Sequence, residues 1–190
     1  AEGRPGGVSS QRTPERGDEV RQALWASKIC SYAQGMALLQ AASHHYEYGI
    51  NLSEMARIWK AGCIIRARLL AFIQAAFEES GSLDNLMVEP SFASQLDAAQ
   101  KAWRSVVGRA KTAGIPCPAM SASLDYYDAY HTEFLPANLI QAQRDYFGAH
   151  TYQRIDRDGV FHTRWEESVR DGREASNQMT VSYTHLRAHE

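Results

Sequence analysis

The sequence lacks the short motifs that mark the common nucleotide, hydrolase and metal sites. It contains neither a GxGxxG dinucleotide loop nor a GxxxxGK phosphate loop, and GxSxG, HExxH and DxDxDG patterns are missing as well. These absences exclude a complete Rossmann cofactor site, a P-loop, a serine-hydrolase elbow, a zincin site and an EF-hand within the 190 residues. The residues by themselves therefore indicate no complete enzyme site and no metal site.

Cysteine, net charge and long apolar runs are also scarce. Cys30, Cys63 and Cys117 are widely spaced and form no CxxC motif, so we expect buried free thiols in a reducing cytoplasm. A formal net charge of −2 predicts no nucleic-acid partner. No apolar run approaches the roughly 20 residues that span a bilayer, so we expect no membrane partner.

What the chain has is a set of helical patterns after a polar start. Residues 1–17 are rich in Gly, Arg, Ser and Pro, and we expect them to form a disordered leader. From residue 18 apolar side chains recur at spacings typical of one helix face, with Gly35 indicating a close helix–helix approach. The members of this face are Val20, Leu24, Ile29, Tyr32, Met36 and Leu39. A helical domain is therefore predicted over residues 18–150.

Further helices are predicted from their ends and their apolar spacing. Asn51 and Glu54 fit a capping box, and Pro90, Pro118 and Pro136 each suit the first turn of a helix. The clearest helix has apolar residues at spacings of four and three, namely Phe92, Leu96, Ala99, Trp103, Val106 and Ala110. Another face, Ile65, Leu69, Phe72, Ile73 and Ala76, predicts a helix before it. These patterns predict an all-α, bundle-like fold.

The period changes after the last predicted helix. The segment TYQRIDRDGVFHTRW, residues 151–165, alternates in polarity and contains Asp158-Gly159, a hairpin turn signal. We expect an extended tail that docks on another surface, because so short a hairpin is not stable alone. Residues 166–190 are predicted to be disordered, and 181–190 resemble a translated sequencing adapter.

Arg144 and His150 are the candidate ligand-binding residues, at the end of the last predicted helix. Arginine presents a planar fork of donors that fits phosphate or carboxylate oxygens, and histidine adds a hydrogen bond. A helix-end salt bridge and a C-terminal cap are the structural alternatives. Arg66 and Arg68 are weaker candidates for anion binding, because they are more typical of arginines that cap carbonyls or pair with acids in a helix bundle.

Five segments resemble the C-terminal part of the decarboxylating 6-phosphogluconate dehydrogenases. They are SKICSYAQG (27–35), IWKAGCIIRAR (58–68), AGIPCPAMSASLDYYDAY (113–130), LPANLIQAQRDYFGAHTYQRID (135–156) and GVFHTRW (159–165). The resemblance covers residues 18–165 and is most specific over RDYFGAHTY, whereas residues 1–17 do not resemble the family. It implies an all-helical dimerisation domain with a tail, 151–165, that threads into the partner subunit of a homodimer.

The resemblance also implies a function. Enzymes of this family oxidise and decarboxylate 6-phosphogluconate to ribulose 5-phosphate and CO2 with NADP as cofactor. We expect the protein to be cytoplasmic. Arg144 would bind the substrate's phosphate and His150 its nearby oxygens, both in the partner's active site. The family's catalytic lysine and glutamate, its NADP domain and its NKGTGxW loop have no counterpart here. We therefore expect a fragment that is inactive alone and carries neither catalytic nor cofactor-binding residues.

Two other interpretations remain open. The chain could be a stand-alone helical module that binds a protein partner without catalysis, through the same helix faces. It could also be a diverged helical domain of another hydroxyacid dehydrogenase, although the dense RDYFGAH match argues against this. An upstream GxGxxG unit in the same reading frame would favour the enzyme.

Overall fold

The chain folds almost entirely into helices. The computed structural model describes residues 14–80 and 83–165. In chain order the elements are α1 (Pro14–His45), α2 (Leu52–Trp59), α3 (Leu69–Ser80), a 3-10 turn (Leu86–Val88), α4 (Pro90–Thr112), α5 (Pro118–Tyr130), α6 (Ala137–Gly148), β1 (Tyr152–Gln153) and β2 (Val160–Phe161). The predicted all-α fold class is confirmed. The contacts divide the chain into a helical unit, Ala1–Asp128, and a C-terminal unit, Ala129–Glu190.

The helical unit is organised by an apolar core. Helix α1 packs along α4, and α2 packs against α3. Its largest fully buried side chains come from α1, α3, α4 and the 3-10 turn: Trp103, Phe92, Ile29, Met36, Leu69, Leu70, Ile73, Leu86, Met87, Leu96 and Cys30. Removing each large apolar side chain from water contributes about 1.5–3 kcal/mol before the entropy of ordering is counted. Burial of this cluster is therefore the main stabilising term of the unit.

The buried face of α1 differs from the predicted one. Val20 and Leu24 are 47% and 60% exposed, whereas Ala23, Ala26 and Ala33 are fully buried. The bulky residues misled the pattern analysis, because buried alanines carry little apolar signal in the sequence. The apolar face is thus rotated from the predicted one, although Ile29 and Met36 belong to both.

Two further predictions for α1 were wrong. The helix begins at Pro14, so residues 14–17 are helical rather than part of a disordered leader. Proline suits a first helical turn and Glu15 favours the positive end of the helix dipole there. A Cβ added at Gly35 would meet nothing within 4 Å among the described residues, so this glycine does not mark a close approach. Residues 1–13 lie outside the described part of the chain.

The predicted helix ends are largely confirmed. The Asn51 side chain accepts a hydrogen bond of 3.2 Å from the Glu54 backbone N–H, as an N-cap does. Pro90 lies in the first turn of α4, and Pro118 is the first residue of α5. Helix α3, however, begins only at Leu69, so Ile65 lies before it rather than on its face. There the Ile65 carbonyl accepts a hydrogen bond from the Tyr32 hydroxyl.

The cysteines are free thiols, but only one is buried as predicted. Cys30 is buried, whereas Cys63 and Cys117 are partly exposed. Burial raises the pKa of the Cys30 thiol to about 12, because the thiolate would lose its hydration. Cys30 is therefore an unreactive core residue whose sulfur lies 3.6 Å from that of Met87.

The C-terminal unit combines α6 with a small antiparallel hairpin. Strands β1 and β2 pair Tyr152 with Phe161 and Gln153 with Val160. The predicted hairpin is confirmed, but its loop spans residues 154–159, so Asp158-Gly159 closes a longer loop instead of forming a two-residue turn. Gly159 has a φ of +125°, a conformation that favours glycine. The predictions for residues 166–190 lie outside the described residues.

Candidate functional site

Helix α6 presents Arg144 to solvent. The side chain is exposed, and its Nη1 donates a hydrogen bond of 3.0 Å to Oε1 of Gln141, one turn earlier. Among the described residues this is its sole hydrogen bond. The fork has five N–H donors, so most of them face outward and are available to an anion. The alternative role of Arg144, a helix-end salt bridge, is not found among the described residues.

His150 lies just beyond the end of α6. The helix ends at Gly148, and Ala149 adopts a left-handed conformation with φ 50° and ψ 40°. The His150 ring lies over Gly148: a Cβ added there would be 3.0 Å from Nε2 and 3.1 Å from Cδ2. Glycine at position 148 therefore leaves room for the imidazole in this position, whereas a larger residue would displace the ring by a few tenths of an ångström.

The backbone on both sides of His150 has positive φ values at non-glycine residues. Ala149 has a φ of 50° and Thr151 a φ of 62°. A β-branched residue such as threonine rarely adopts this conformation, which persists only where surrounding contacts hold it. His150 thus occupies a strained turn, and strained turns are enriched at functional sites.

The contacts that hold the turn converge on Asp145, whose carboxylate is fully buried. Its Oδ1 accepts hydrogen bonds from the Thr151 backbone N–H at 2.9 Å and from His162 Nδ1 at 2.9 Å. Its Oδ2 accepts from the Thr163 backbone N–H and from Trp165 Nε1, both at 3.0 Å. One side chain therefore connects α6 to the turn and to the segment after β2.

These hydrogen bonds also determine the charge of the group. Burial alone would raise the pKa of Asp145, because the charged form loses hydration. Donors from Thr163, His162, Trp165 and Thr151 outweigh this effect and hold the pKa of the carboxyl below its ordinary value. Asp145 is therefore a carboxylate at neutral pH, with four donors directed at its two oxygens.

Asp145 was missed by the sequence reasoning, although a signal for it exists. A carboxylate in the last turns of a helix lies near the negative end of the helix dipole and is disfavoured there. Asp145 in α6 occupies such a position. Its presence indicates a compensating set of donors, but the sequence does not reveal where along the chain these donors lie.

Residues 14–80 and 83–165 contain neither a metal site nor a membrane-spanning helix. No group of three or more His, Cys, Asp or Glu side chains suited to a metal ion is found there. None of the helices in this part of the chain has both the length and the apolar character needed to cross a membrane.

Comparison with known proteins assigns the family. A model of the 6-phosphogluconate dehydrogenase C-terminal domain matches residues 4–165, which include α6, the strained turn and the hairpin. The chain belongs to this family. The match to the 6-phosphogluconate dehydrogenase C-terminal domain starts upstream of residue 18, where the sequence motifs had placed its beginning.

Individual relatives agree with this assignment. The chain is 56% identical over 173 residues to the chloroplastic decarboxylating 6-phosphogluconate dehydrogenase 2 of Oryza sativa, covering 90% of this chain and 34% of that protein. It is 59% identical over 148 residues to the decarboxylating 6-phosphogluconate dehydrogenase of Synechococcus elongatus, covering 78% and 31%. The chain thus spans about a third of the length of the relatives that it matches.

A solved structure is similar in fold. The 6-phosphogluconate dehydrogenase of Plasmodium falciparum superposes with a TM-score of 0.76 and 40% sequence identity, over 83% of this chain and 34% of that one. That enzyme was solved in its apo form, with its cofactor NADP+ and with its substrate 6-phosphogluconate. The similarity confirms the helical architecture predicted from the sequence.

Proposed function

We propose that this chain is the C-terminal part of a decarboxylating 6-phosphogluconate dehydrogenase. The complete enzyme would convert 6-phosphogluconate to ribulose 5-phosphate and CO2 while NADP+ is reduced. The observation that carries the proposal is the 59% identity to the Synechococcus elongatus enzyme of that name, over most of this chain. No step of the chemistry is assigned to residues of this chain, since its contribution is to bind and orient the substrate.

Arg144 is proposed to bind the phosphate of the substrate. Its guanidinium is exposed and donates a hydrogen bond to Gln141, which orients the side chain. No carboxylate among the described residues pairs with its positive charge. A charge-assisted hydrogen bond of this kind contributes about 1.5–3 kcal/mol. Anchoring the unreactive phosphate also orients the carbons that react, which lowers the entropic part of the barrier.

His150 is proposed to donate a hydrogen bond to an oxygen of the same substrate. Its imidazole is exposed at the end of α6, six residues after Arg144, and the strained turn limits its range of positions. A ring nitrogen can donate to a hydroxyl or phosphate oxygen without a change in side-chain position. The two side chains together would bind a sugar acid at two separated points.

The remaining parts of the enzyme are proposed to come from elsewhere. NADP+ accepts a hydride from the substrate when bound, and its binding residues lie outside this chain, as do the catalytic lysine and glutamate of the family. A second copy of the chain is proposed as the partner whose active site Arg144 and His150 complete. Leu139, Ile140 and Phe147 of α6 support this, because they are 76%, 57% and 74% exposed and suit a protein surface.

We also propose a cytoplasmic location, because free cysteines, of which the chain has three, are typical of proteins in a reducing compartment. Some relatives are named as chloroplastic enzymes, so another reducing compartment is the alternative outcome. Imaging the full-length protein fused to a fluorescent marker would distinguish the two.

The proposal is tested by Arg144→Ala in the full-length protein. We expect the KM for 6-phosphogluconate to rise by about tenfold to a hundredfold, because a contact worth about 1.5–3 kcal/mol is lost. The KM for NADP+ should change less than about twofold, since Arg144 does not contact the cofactor in this account. Steady-state kinetics with each substrate varied in turn measures both values.

The matched control is Arg57→Ala, which removes an exposed arginine paired with Glu54 on α2. It should leave both KM values unchanged. Equal losses for the two ligands in Arg144→Ala, or no loss at all, would show that Arg144 is not a substrate-binding residue. A full-length wild-type protein without 6-phosphogluconate oxidation would refute the proposed activity.

A further inference from the structure

We propose that Asp145 and Gln141 are positioning residues that hold Arg144 and His150 in the arrangement needed to bind the anionic substrate. The inference rests on the proposed function and extends it, because neither residue is expected to contact the substrate. Its basis is the hydrogen-bond network that starts from Gln141 and Asp145 on α6 and reaches Arg144 and Thr151, the residue after His150.

The first step is the fixation of Thr151. Its backbone N–H donates to Asp145 Oδ1 at 2.9 Å, and its backbone carbonyl accepts from Gln141 Nε2 at 2.5 Å. Both polar groups of a residue with φ 62° are thus bound by side chains of α6. A β-branched residue would leave this conformation if the contacts were lost, because such residues rarely adopt a positive φ without them. His150, its neighbour, would then move with the backbone.

The second step concerns Arg144. The same Gln141 that donates to Thr151 accepts a hydrogen bond of 3.0 Å from Arg144 Nη1 through its Oε1. A single amide therefore links the guanidinium to the turn that carries His150. Its two polar atoms have opposite roles, and no carboxylate or apolar side chain of similar size could fill both.

The third step explains why a carboxylate occupies position 145. Its second oxygen accepts from the Thr163 N–H and from Trp165 Nε1, which ties the segment after β2 to the same point. Trp165 also packs edge-to-face on Tyr146, with ring centroids 5.9 Å apart. The turn is thus braced both by α6 and by the returning chain, which restricts its motion and that of His150.

The test compares Asp145→Asn and Gln141→Met in the full-length enzyme. Asparagine keeps the volume of aspartate but replaces one acceptor oxygen by a donor, and methionine removes both polar atoms of Gln141. We expect the KM for 6-phosphogluconate to rise about tenfold or more in each variant, because small misplacements of binding groups have effects of this size. The KM for NADP+ should stay within about twofold.

Matched controls use the same chemical changes nearby. Asp158→Asn alters an exposed aspartate in the hairpin loop, and Gln143→Met alters an exposed glutamine on α6. Both should leave the two KM values unchanged. Hydrogen exchange measured by mass spectrometry adds a direct readout: peptides that contain Thr151 should exchange at least about fivefold faster in Asp145→Asn than in the wild type or either control.

The outcomes separate the inference from the proposed function. If Arg144→Ala and His150→Ala raise the substrate KM while Asp145→Asn and Gln141→Met do not, the inference is wrong and the proposed function stands. If Arg144→Ala and His150→Ala have no effect, the substrate-binding roles proposed for these two residues are wrong and the inference falls with them, whereas the proposed activity is refuted only if the wild type does not oxidise 6-phosphogluconate. Should Asp145→Asn fail to fold, Gln141→Met decides, since it leaves the carboxylate in place. Reduced stability with an unchanged KM would indicate a purely structural role and overturn the inference.

Discussion

Each of the two units of this chain is stabilised internally by a different kind of interaction. In the helical unit, Trp103, Phe92 and Leu96 are at most 2% exposed and lie in one apolar cluster with residues of α1 and α3. In the C-terminal unit, the one described side chain with no exposure is the carboxylate of Asp145. A long bundle can bury enough apolar surface to be stable, whereas a helix of 12 residues with two-residue strands cannot.

The difference in interactions brings a difference in precision. Hydrophobic burial is non-directional, so a core tolerates swaps of similar volume and still folds. Hydrogen bonds to a buried charge depend on distance and angle, and an unpaired charge there is costly. The unit that carries the candidate substrate residues is therefore the one whose geometry is set by directional contacts.

The largest expected effect comes from a substitution in the apolar core of the helical unit. Trp103→Ala should lower the free energy of unfolding by about 3–5 kcal/mol, because it removes a fully buried indole and leaves a cavity. It also removes the contact with Tyr127, whose ring centroid lies 6.0 Å away. Urea denaturation of the 190-residue chain, followed by far-UV circular dichroism, measures the loss.

Trp165→Ala is the matched control, since this tryptophan lies in the C-terminal unit and is only partly buried. It should lower the free energy of unfolding by about 1–3 kcal/mol, the cost of one lost hydrogen bond to a buried charge, and so by less than Trp103→Ala does. If Trp165→Ala were as costly as Trp103→Ala, the distinction between an apolar and a polar unit would not hold.

An intermediate effect is expected at acidic pH, where the buried carboxylate of the C-terminal unit becomes protonated. The pKa of Asp145 is lowered in the folded protein, so its stabilisation is complete above the ordinary aspartate value of 3.8. It is lost as the pH falls through the lower folded value, where the carboxylate is protonated. The indole N–H resonance of Trp165 in NMR spectra should therefore keep its position down to about pH 4 and shift below it.

Asp145→Asn is the control for the titration, because its indole resonance should be displaced already at neutral pH and show no acid transition. His162 is the other titratable group on this carboxylate, at 2.9 Å. A wild-type indole resonance that already shifts well above pH 4 would contradict the role given to Asp145.

The smallest effect concerns Gly148, where stability and binding should change in opposite directions. Gly148→Ala favours the helix by about 0.5–1 kcal/mol. The new Cβ would lie 3.0 Å from His150 Nε2, so the ring must move by a few tenths of an ångström. We expect an unchanged or higher melting temperature and a KM for 6-phosphogluconate raised by about two- to fivefold in the full-length protein.

Gly108→Ala is the matched control, since Gly108 is also helical and an added Cβ would meet nothing within 4 Å. It should raise the melting temperature without a change in KM. Identical kinetics for the two variants would show that the position of the His150 ring does not affect substrate binding.

Much of the helical unit could be predicted from the sequence. The spacing of Phe92, Leu96, Ala99 and Trp103 identified the buried face of α4, and Pro90 identified its start. These predictions succeed because helix periodicity and capping are local properties, encoded within a few residues.

The failures have a common physical cause. The face of α1 was misplaced because three of its seven buried positions are alanines, which carry little apolar signal until a partner helix is known. Asp145 was missed because its donors lie up to 20 residues further along the chain. Both depend on contacts between segments that pattern analysis treats separately.

The sequence alone determined the helical class, the hairpin, the family and the two exposed candidate residues, because each is encoded in local spacing or in a specific motif. Only the tertiary structure decided how His150 is held. It lies in a strained turn next to the buried carboxylate of Asp145, which accepts hydrogen bonds from Thr151 in the turn and from His162, Thr163 and Trp165. Hydrogen bonds are directional and link distant positions, so their pattern becomes visible only once the chain has folded.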